Sequence, residues 1–464
     1  MNPRETSDGG IGTMQTTASG KIDTSAKALA KLSWPIFVEL ILQLLVGNMD
    51  QVQLSHFNDT AVAAVGNANQ IITVVILTFS VVSLAAMILI SQYRGAGDMS
   101  SVNRIYTLSA LCNLVLSTAM AVLIIALRGP LFAVMHVPAE ILPEARAYLV
   151  ITAVTLPFQA LMLTFSAFLR AGARMKSIMA ITGIVNVCNI LGNAVLINGV
   201  GPLPCLGAAG AALSSSIFRV VGFALMVWVF FRSFPEARIA PSLLRPWPRD
   251  LFRRLIAIGV PSGGESLSYQ FTQMSCLVFV NMMGTYVVTT RMYTVMIANC
   301  IYLLISAVSQ AGQVTVGYLI GARDLDGADR CTWRIVRVFC PLTVGISALV
   351  FLAGRPILGL LSGDERVIAL GCSVLLVEIF LEIGRSFNIV LVRSLQAAGD
   401  VKFPTLVGIA SEWIVAVGLG YLFGIVLDWG LVGMWAAFAI DENLRGLIFI
   451  IRWKQGKWRS MKTV

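Results

Sequence analysis

The sequence contains few charged residues and very few histidines. Only 12% of the 464 residues are charged, and the mean hydropathy is +0.81. Because soluble domains contain roughly 25% charged residues, this composition excludes a soluble globular protein. The two histidines, His56 and His136, lie in predicted loops without the Cys or carboxylate pattern typical of metal ligands. No metal centre is therefore expected.

Motifs for several other functions are missing. The sequence has no G-x-x-x-x-G-K-[ST] loop and no polar stretch long enough for a nucleotide-binding domain, which argues against direct drive by ATP. The eight cysteines include no C-x-x-C pair and lie mostly in apolar runs, so neither a disulfide framework nor a cofactor is expected. Residues 1–30 are polar and lack an apolar signal region, which predicts a disordered cytoplasmic tail without a cleaved signal peptide.

Long apolar runs make up most of the remaining chain. They are about 20 residues or longer and do not alternate in ten-residue segments, which predicts membrane-spanning helices rather than barrel strands. The twelve candidate spans are residues 32–54, 61–90, 105–127, 147–168, 178–198, 207–231, 256–281, 288–319, 336–353, 367–392, 404–424 and 431–451. The predicted fold class is an all-α membrane protein with twelve transmembrane helices.

The distribution of Lys and Arg predicts the orientation. The longest basic connection contains Arg232, Arg238, Arg245, Arg249, Arg253 and Arg254. The connections on the opposite side hold only Arg128, Arg146, Arg355 and Arg366. Because cytoplasmic segments collect basic residues, both termini are predicted to be cytoplasmic. The net charge of +10 then reflects topology and attraction to anionic membrane lipids rather than nucleic-acid binding.

The two halves of the chain repeat each other. A shift of 226 residues places Pro35 on Pro261, Glu39 on Glu265 and Arg219 on Arg445. With six spans in each half, the repeats run in the same direction, and such repeats commonly enclose a substrate cavity between two lobes. The predicted organisation is a tail (1–30), an N-terminal lobe (31–231), a basic linker (232–255), a C-terminal lobe (256–453) and a second tail (454–464). A repeat maintained only for packing is the alternative.

Carboxylates within the predicted spans are candidate coupling groups. The span acids are Glu39, Asp50, Glu265, Glu378, Glu382, Glu412, Asp441 and Glu442, and the span arginines are Arg219, Arg291, Arg385 and Arg445. Since acids outnumber arginines, not every carboxylate can have its own cation, and an unpaired one can bind a proton near neutral pH. Asp50 has no basic residue within one helical turn in sequence and is the leading candidate for proton or cation coupling.

The other span acids have structural alternatives. Glu39 and Glu265 lie near the cytoplasmic ends of their helices, where a side chain can reach the interface, so a coupling role and a structural role are both open. Glu378 and Glu382 are spaced to pair with Arg385, in a structural ion pair or a substrate-facing cluster. Asp441 and Glu442 are spaced to pair with Arg445 in a structural network.

Uncharged polar residues inside the spans are candidates for a substrate cavity. Together with Glu382 and Arg385, the candidates are Gln43, Asn67, Asn186, Asn189, Asn193, Tyr269, Thr272, Tyr293, Asn299, Tyr302 and Gln310. Such side chains also commonly form hydrogen bonds between neighbouring helices, which is the alternative for each of them. With eighteen methionines and the aromatic residues, they favour a roomy amphipathic cavity over a cage for one small ion.

Four stretches resemble the multidrug and toxic compound extrusion (MATE) family: LSWPIFVELILQLLVGNMDQVQL, SQYRGAGD, LIGARD and RSLQAAGDVKFP. The resemblance covers nearly the whole chain. It implies a secondary antiporter that exports organic solutes in exchange for H+ or Na+, with two six-helix lobes forming a V and the coupling aspartate at Asp50. Two positions depart from the family pattern: Tyr269 replaces a common glutamate, and Arg385 stands where one branch has an aspartate.

The sequence therefore predicts a monomeric antiporter of a bacterial cytoplasmic (inner) membrane, with H+ or Na+ as coupling ion. Asp50, Glu265 and Glu39 are the candidate coupling residues, and Na+ binding near Asp50 is left open. The alternative is a lipid-linked precursor flippase, whose anionic cargo would suit Arg291 and Arg385. A membrane enzyme is disfavoured because no His, Asp or metal constellation lies near one interface. A receptor without transport is similarly disfavoured.

Overall fold

A computed structural model describes residues 22–55, 57–199 and 205–461, apart from the side chains of 46–48, 50, 51, 59 and 198. These residues are almost entirely helical. The helices are α1 (Ala26–Ser55), α2 (Asp59–Gly95), α3 (Met99–Val134), α4 (Leu142–Val154), α5 (Leu156–Ala171), α6 (Met175–Asn198), α7 (Gly207–Ser233), α8 (Arg249–Asn281), α9 (Thr285–Gly321), α10 (Leu325–Leu352), α11 (Gly354–Leu361), α12 (Glu365–Ala397), α13 (Lys402–Ser411) and α14 (Gly430–Lys454).

The predicted all-α membrane class is confirmed. Within the described residues, nine helices are long and apolar enough to cross a membrane, and the bent pair of α4 and α5 makes a tenth. Two further helices, α8 with 33 residues and α14 with 25, have the length to span a membrane but are more polar. Together these are consistent with the twelve predicted spans.

The predicted span 147–168 is divided into two helices. α4 ends at Val154 and α5 begins at Leu156, and their axes differ by 49°. Pro157 explains the break, because it has no backbone N–H and its ring would clash with the carbonyl one turn earlier. Thr155 occupies the joint, where its hydroxyl donates to the carbonyl of Thr152 and to Ser216.

The predicted span 404–424 also departs from a regular α-helix. α13 continues into π-helical turns over Glu412–Leu419 and Leu422–Val426. A π-helical turn changes the direction of every side chain after it and occurs frequently at functional sites. Glu412 is the first residue of this irregular stretch.

Described helical structure extends into the ranges predicted to be tails. α1 begins at Ala26, inside the stretch predicted to be disordered, because the Ser25 hydroxyl accepts a hydrogen bond from the Ala28 N–H. At the other end, Trp458 is buried and stacks on Trp453 with a ring separation of 4.2 Å. Residues 1–21 and 462–464 lie outside the described residues.

Gly95-Ala96-Gly97-Asp98 and its equivalent in the second half, Gly321-Ala322-Arg323-Asp324, form the same turn. Gly97 and Arg323, which are equivalent under the 226-residue shift, both have left-handed backbone conformations with φ of 75° and 59°. The next residue in each case caps the following helix: Asp98 accepts from the Ser101 N–H and Asp324 from the Gly327 N–H. The repeat in sequence is therefore also a repeat in local structure.

The helices form two compact units. Unit 1 contains Val38–Ile90 and Asp98–Gly259, and unit 2 contains residues 22–37, Ser91–Gly97 and 260–461. In unit 1, Tyr106 packs against Phe168 and Phe230 at ring separations of 4.7 and 5.1 Å. In unit 2, buried residues of α9, α10, α12 and α14 form the core.

Candidate functional site

The candidate site in unit 2 depends on a close approach between α12 and α14. A Cβ on Gly384 of α12 would lie 2.3 Å from the backbone nitrogen of Asn443, and one on Gly446 would lie 3.1 Å from the Gly384 carbonyl oxygen. Small residues allow two membrane helices to approach this closely. The contact brings Arg385 on α12 and Glu442 on α14 into the same buried region.

Arg385 pairs with two carboxylates of its own helix. Its Nη1 lies 2.7 Å from Glu378 Oε1 and 3.3 Å from Glu382 Oε2, so the predicted ion pairing is confirmed. The remaining carboxylate oxygens accept from Trp435 Nε1 at 2.7 Å and from the Ser386 hydroxyl at 3.1 Å. Glu382 is fully buried, so this conformation places it in a packed ion pair rather than on an exposed face.

Arg445 pairs with three carboxylates. Asp441 and Glu442 contact its Nη2, as the spacing predicted, and Glu412 Oε1 lies 3.5 Å from its Nη1. The second oxygen of each carboxylate also has a donor: Ser411 for Asp441, Asn388 for Glu442 and Ser268 for Glu412. These two arginines and five carboxylates are called the acidic network below.

Sequence reasoning missed the place of Glu412 in the acidic network. Glu412 is distant in sequence from Arg445 and from Ser268, which donates to it at 3.2 Å. The contact with Arg445 joins two different helices, and no local spacing rule anticipates it. Only the unequal numbers of acids and arginines in the spans pointed to it.

Glu265 lies beside the acidic network, and no described arginine forms an ion pair with it. Its Oε2 accepts from the Thr405 hydroxyl at 3.4 Å. Among the described residues, no donor contacts Oε1. Gly408 leaves room beside this oxygen, because a Cβ added at Gly408 would lie 3.3 Å from Oε1. Arg445 and Arg393 act on Glu265 only through longer-range electrostatic interaction.

Charge is unbalanced in this region. Glu265, Glu378, Glu382, Glu412, Asp441 and Glu442 surround Arg385 and Arg445. If all six acids were ionised, the group would carry four uncompensated negative charges in a membrane-spanning bundle. Uncompensated buried charge costs several kcal/mol per ion, so this arrangement favours retention of protons by some of the carboxylates.

Glu39, the equivalent of Glu265 in the first repeat, has an arginine partner. It is buried, and both of its oxygens accept from Arg170 Nη2, at 3.0 and 3.1 Å. Gln43 also donates to Oε1 at 3.3 Å. Arg170, which follows the predicted span 147–168, lies in the last turn of α5, where its guanidinium is within reach of α1.

Asp50 lies in α1, but its side chain is outside the described residues. Its environment therefore stays a prediction. The described polar residues of unit 1 are mostly uncharged: Asn113 donates to Ser83 and Thr164, and Asn189 donates to Ser214 and Ser215.

The predicted cavity residues divide by exposure. Gln43, Tyr269, Asn299 and Tyr302 are exposed; Asn67, Asn186, Tyr293, Gln310 and Arg385 are half-buried; Asn189, Asn193, Thr272 and Glu382 are buried. Several of these polar groups bond within their own unit, as Thr272 does to the Ser268 carbonyl at 3.0 Å. The exposed tyrosines and Asn299 lie on α8 and α9 of unit 2, which makes this pair of helices the most accessible part of the predicted set in that unit.

Comparison with known proteins identifies the family. The family model MatE matches residues 35–195 and 261–422, and the two matches begin 226 residues apart, as the internal repeat requires. The uncharacterized transporter YisQ of Bacillus subtilis is 34% identical over 445 residues, which cover 96% of this chain and 97% of the relative. The probable multidrug resistance protein NorM of Chromobacterium violaceum is 27% identical, with 94% of this chain and 95% of the relative covered.

A crystal structure of a variant of the Vibrio cholerae MATE transporter VcmN has a TM-score of 0.85 with 16% identity, covering 94% of this chain and 98% of that one. Identity at this level shows a shared fold. Together with the two family matches, which cover more than half of the sequence, the repeat and the helical membrane architecture establish the family. The chain belongs to the multidrug and toxic compound extrusion (MATE) family, whose members are multi-pass membrane transporters that move small molecules at the expense of ion gradients.

Proposed function

We propose that this protein is a secondary active antiporter that exports organic solutes from the cytoplasm across the inner membrane in exchange for protons. Glu265 and the acidic network beside it would take up and release the coupling protons. Both termini would be cytoplasmic, because the basic residues are concentrated in the tails and in the connection between α7 and α8.

The observation that carries this proposal is the open oxygen of Glu265. Each carboxylate of the acidic network has a donor or a guanidinium at both oxygens, whereas Glu265 Oε1 has none among the described residues. A proton can therefore bind at Oε1 without displacing an existing hydrogen bond. The same position could accept Na+, and the test below separates the two ions.

Protonation of Glu265 would change the balance of the acidic network. Glu265 interacts electrostatically with Arg445 and with Glu412. When Glu265 gains a proton, Arg445 loses one competing negative charge and can bind its own three carboxylates more strongly. A change of this kind favours one packing of α8 against α13 and α14 over another, which is what coupling to a conformational change requires.

The membrane potential supplies enough free energy to bias a conformational equilibrium. One elementary charge moving through 100 mV contributes about 2.3 kcal/mol, before any pH gradient is added. A two-state equilibrium biased by that amount changes about fifty-fold, since 1.4 kcal/mol corresponds to a factor of ten. A single coupling carboxylate is thus sufficient to direct transport.

Asp50 is retained as a second coupling residue in this proposal. Its support is the resemblance of α1 to the MATE sequence pattern, in which the aspartate of the first span couples transport. Substitution of Asp50 by Asn should then also remove energised efflux while the protein remains in the membrane.

The test uses purified protein in liposomes, with a panel of fluorescent organic solutes and with proton and sodium gradients imposed separately. Wild-type protein should expel solute when a proton gradient is applied, and Glu265→Gln should reduce this rate at least tenfold. Glu365→Gln is a matched control, because Glu365 is an exposed acid paired with exposed Arg355. Drive by sodium alone, or full proton-driven efflux in Glu265→Gln, would overturn the assignment.

A further inference from the structure

Arg291, Arg385 and Arg445, the unit 2 arginines singled out within the predicted spans, differ in their partners among the described residues. Arg385 has two carboxylates and Arg445 has three. Arg291, in the second turn of α9, forms no ion pair with any described residue. An arginine inside a span without a carboxylate is costly, and such residues commonly mark a site for a charged ligand.

The guanidinium of Arg291 is only partly satisfied by the protein. Its Nη2 donates to Gln273 Oε1 on α8 at 3.3 Å. Its Nε is buried and has no acceptor among the described residues. The groups that act on it electrostatically are Cys276 and Tyr269, which are uncharged at neutral pH. Because a guanidinium has five N–H donors, most of its capacity to bind an anion is unused.

Reaching toward the membrane surface does not account for this arrangement. Arg291 is six residues from the start of α9, about 9 Å along the helix, so a long side chain could extend toward the outer interface. The hydrogen bond to Gln273 instead holds the guanidinium against α8, and the burial of Nε keeps that edge away from water.

Aromatic and polar side chains continue from Arg291 along α8 and α9. Tyr269 precedes Gln273 by four residues and therefore lies on the same face of α8, with 46% of its surface exposed. Tyr302 follows Arg291 by eleven residues, about three turns along the same stripe of α9, and is 38% exposed. Asn299 is exposed on the turn before Tyr302. Arg291 thus provides a positive charge at one end of this stripe, and Tyr269 and Tyr302 provide aromatic surface beside it.

We infer that Arg291 and Gln273 bind the anionic group of the exported solute, and that Tyr269 and Tyr302 contact its aromatic or apolar part. The substrate class is an organic anion that carries a carboxylate, sulfonate or phosphate. A guanidinium matches such a group with two parallel hydrogen bonds, and the bound anion supplies the negative charge that the protein does not place beside Arg291. This inference rests on the proposed function only in that the bound solute is the one exported.

The first experiment measures binding without any ion gradient. The melting temperature of the protein in nanodiscs is recorded with a panel of aromatic carboxylates, sulfonates and phosphates, each paired with its neutral amide or ester. Binding to the folded state raises the melting temperature. At least one acid should raise it while its neutral analogue does not, and Arg291→Gln should weaken that binding about tenfold or more. Arg291→Lys should show an intermediate affinity, because it keeps the charge and loses the planar fork.

Two controls separate binding from folding and from coupling. Arg366→Gln removes an exposed arginine paired with Asp364 and should bind as the wild type does. Arg291→Gln without ligand should melt no lower than the wild type, because it removes a charge that lacks an ionic partner. Glu265→Gln should retain acid binding even if it no longer couples to protons, so failure of the coupling proposal would leave acid binding intact. Equal binding of acids and neutral analogues, binding by cations only, no binding at all, or unchanged affinity in Arg291→Gln would each overturn the inference.

Discussion

Equivalent positions of the two repeats carry polar residues, but the residues are neutral in one repeat and acidic in the other. Under the 226-residue shift, Glu412, Asp441 and Glu442 of unit 2 correspond to Asn186, Ser215 and Ser216 of unit 1. The arginine at the centre of these acids, Arg445, corresponds to Arg219. The first repeat therefore has neutral hydrogen-bonding groups where the second has a charged network. Duplication preserved the helical frame, and the acids at these three positions are present in the second copy only.

The pair of Glu39 and Glu265 shows the physical basis of the difference. Glu39 binds Arg170 through both oxygens, and the residue equivalent to Arg170 in the second repeat is Gln396. Gln396 cannot supply a positive charge, and its side-chain oxygen accepts from Gln313 instead. The same glutamate is thus a satisfied ion pair in one repeat and a carboxylate with an open oxygen in the other. The coupling role proposed for Glu265 therefore rests on the missing partner and not on the glutamate alone.

The largest expected effect comes from removing the arginine at the centre of the acidic network. Arg445→Gln leaves three buried carboxylates without their cation, and we expect a loss of about 3–5 kcal/mol in stability near neutral pH. Arg355→Gln, which breaks an exposed pair, should cost about 1 kcal/mol or less. Thermal unfolding of both variants in nanodiscs measures the difference.

The loss in Arg445→Gln should shrink at acidic pH, because the remaining carboxylates then carry protons instead of charge. Equal melting temperatures for the wild type and Arg445→Gln at neutral pH would mean that these carboxylates are neutral without the arginine. In that case the contrast between the neutral groups of the first repeat and ionised acids at the same positions of the second would be wrong.

A smaller effect separates the two equivalent glutamates. Glu39→Gln leaves Arg170 largely buried without its carboxylate, so we expect a loss of about 3 kcal/mol. Glu265→Gln removes no ion pair and should change stability by less than about 1 kcal/mol, while it removes proton-driven efflux. Melting temperatures of both variants in the same lipid test the expected stabilities, and efflux rates test the expected loss of coupling. A Glu39→Gln variant with an unchanged melting temperature but no proton-driven efflux would contradict this expectation and would make Glu39 the coupling residue.

The smallest expected effect concerns a feature that both repeats share. Asp98→Ala and Asp324→Ala each remove a helix cap, and each should cost about 1 kcal/mol. Asp98→Asn should retain most of the stability, because an amide oxygen also caps a helix. Melting temperatures of the three variants test this expectation, and a large difference between the two Ala variants would show that the turns are not equivalent.

The cap at Asp98 also predicts a pH dependence. Burial raises the pKa of Asp98, but the hydrogen bonds from the Ser101 side chain and from the backbone of Ser101 and Ser100 outweigh it, so the pKa is lowered. A carboxyl whose folded-state pKa is lowered stabilises the protein above its unfolded pKa, and this stabilisation disappears as the pH falls through the folded value. The difference in melting temperature between the wild type and Asp98→Ala should therefore decrease on acidification.

Sequence patterns were sufficient where the interactions are local. The spacings of three and four residues predicted the pairs of Arg385 with Glu378 and Glu382 and of Arg445 with Asp441 and Glu442, because residues at those spacings lie on one helical face. The constant shift also places Asp98 on Asp324, and the structure shows that both residues cap helices. Spacing did not predict the partner of Glu39, because Arg170 is separated from it by 131 residues.

The sequence by itself determined the membrane class, the number of repeats and the excess of acids over arginines in the predicted spans. Composition and periodicity are properties of the chain alone. The tertiary structure decided which acids have partners. Packing brings Arg170 to Glu39 and Arg445 to Glu412, and Gly384 lets α12 and α14 approach closely enough to assemble the acidic network. Charge neutralisation inside a membrane depends on distances of a few ångströms between different helices, and only the folded chain sets those distances.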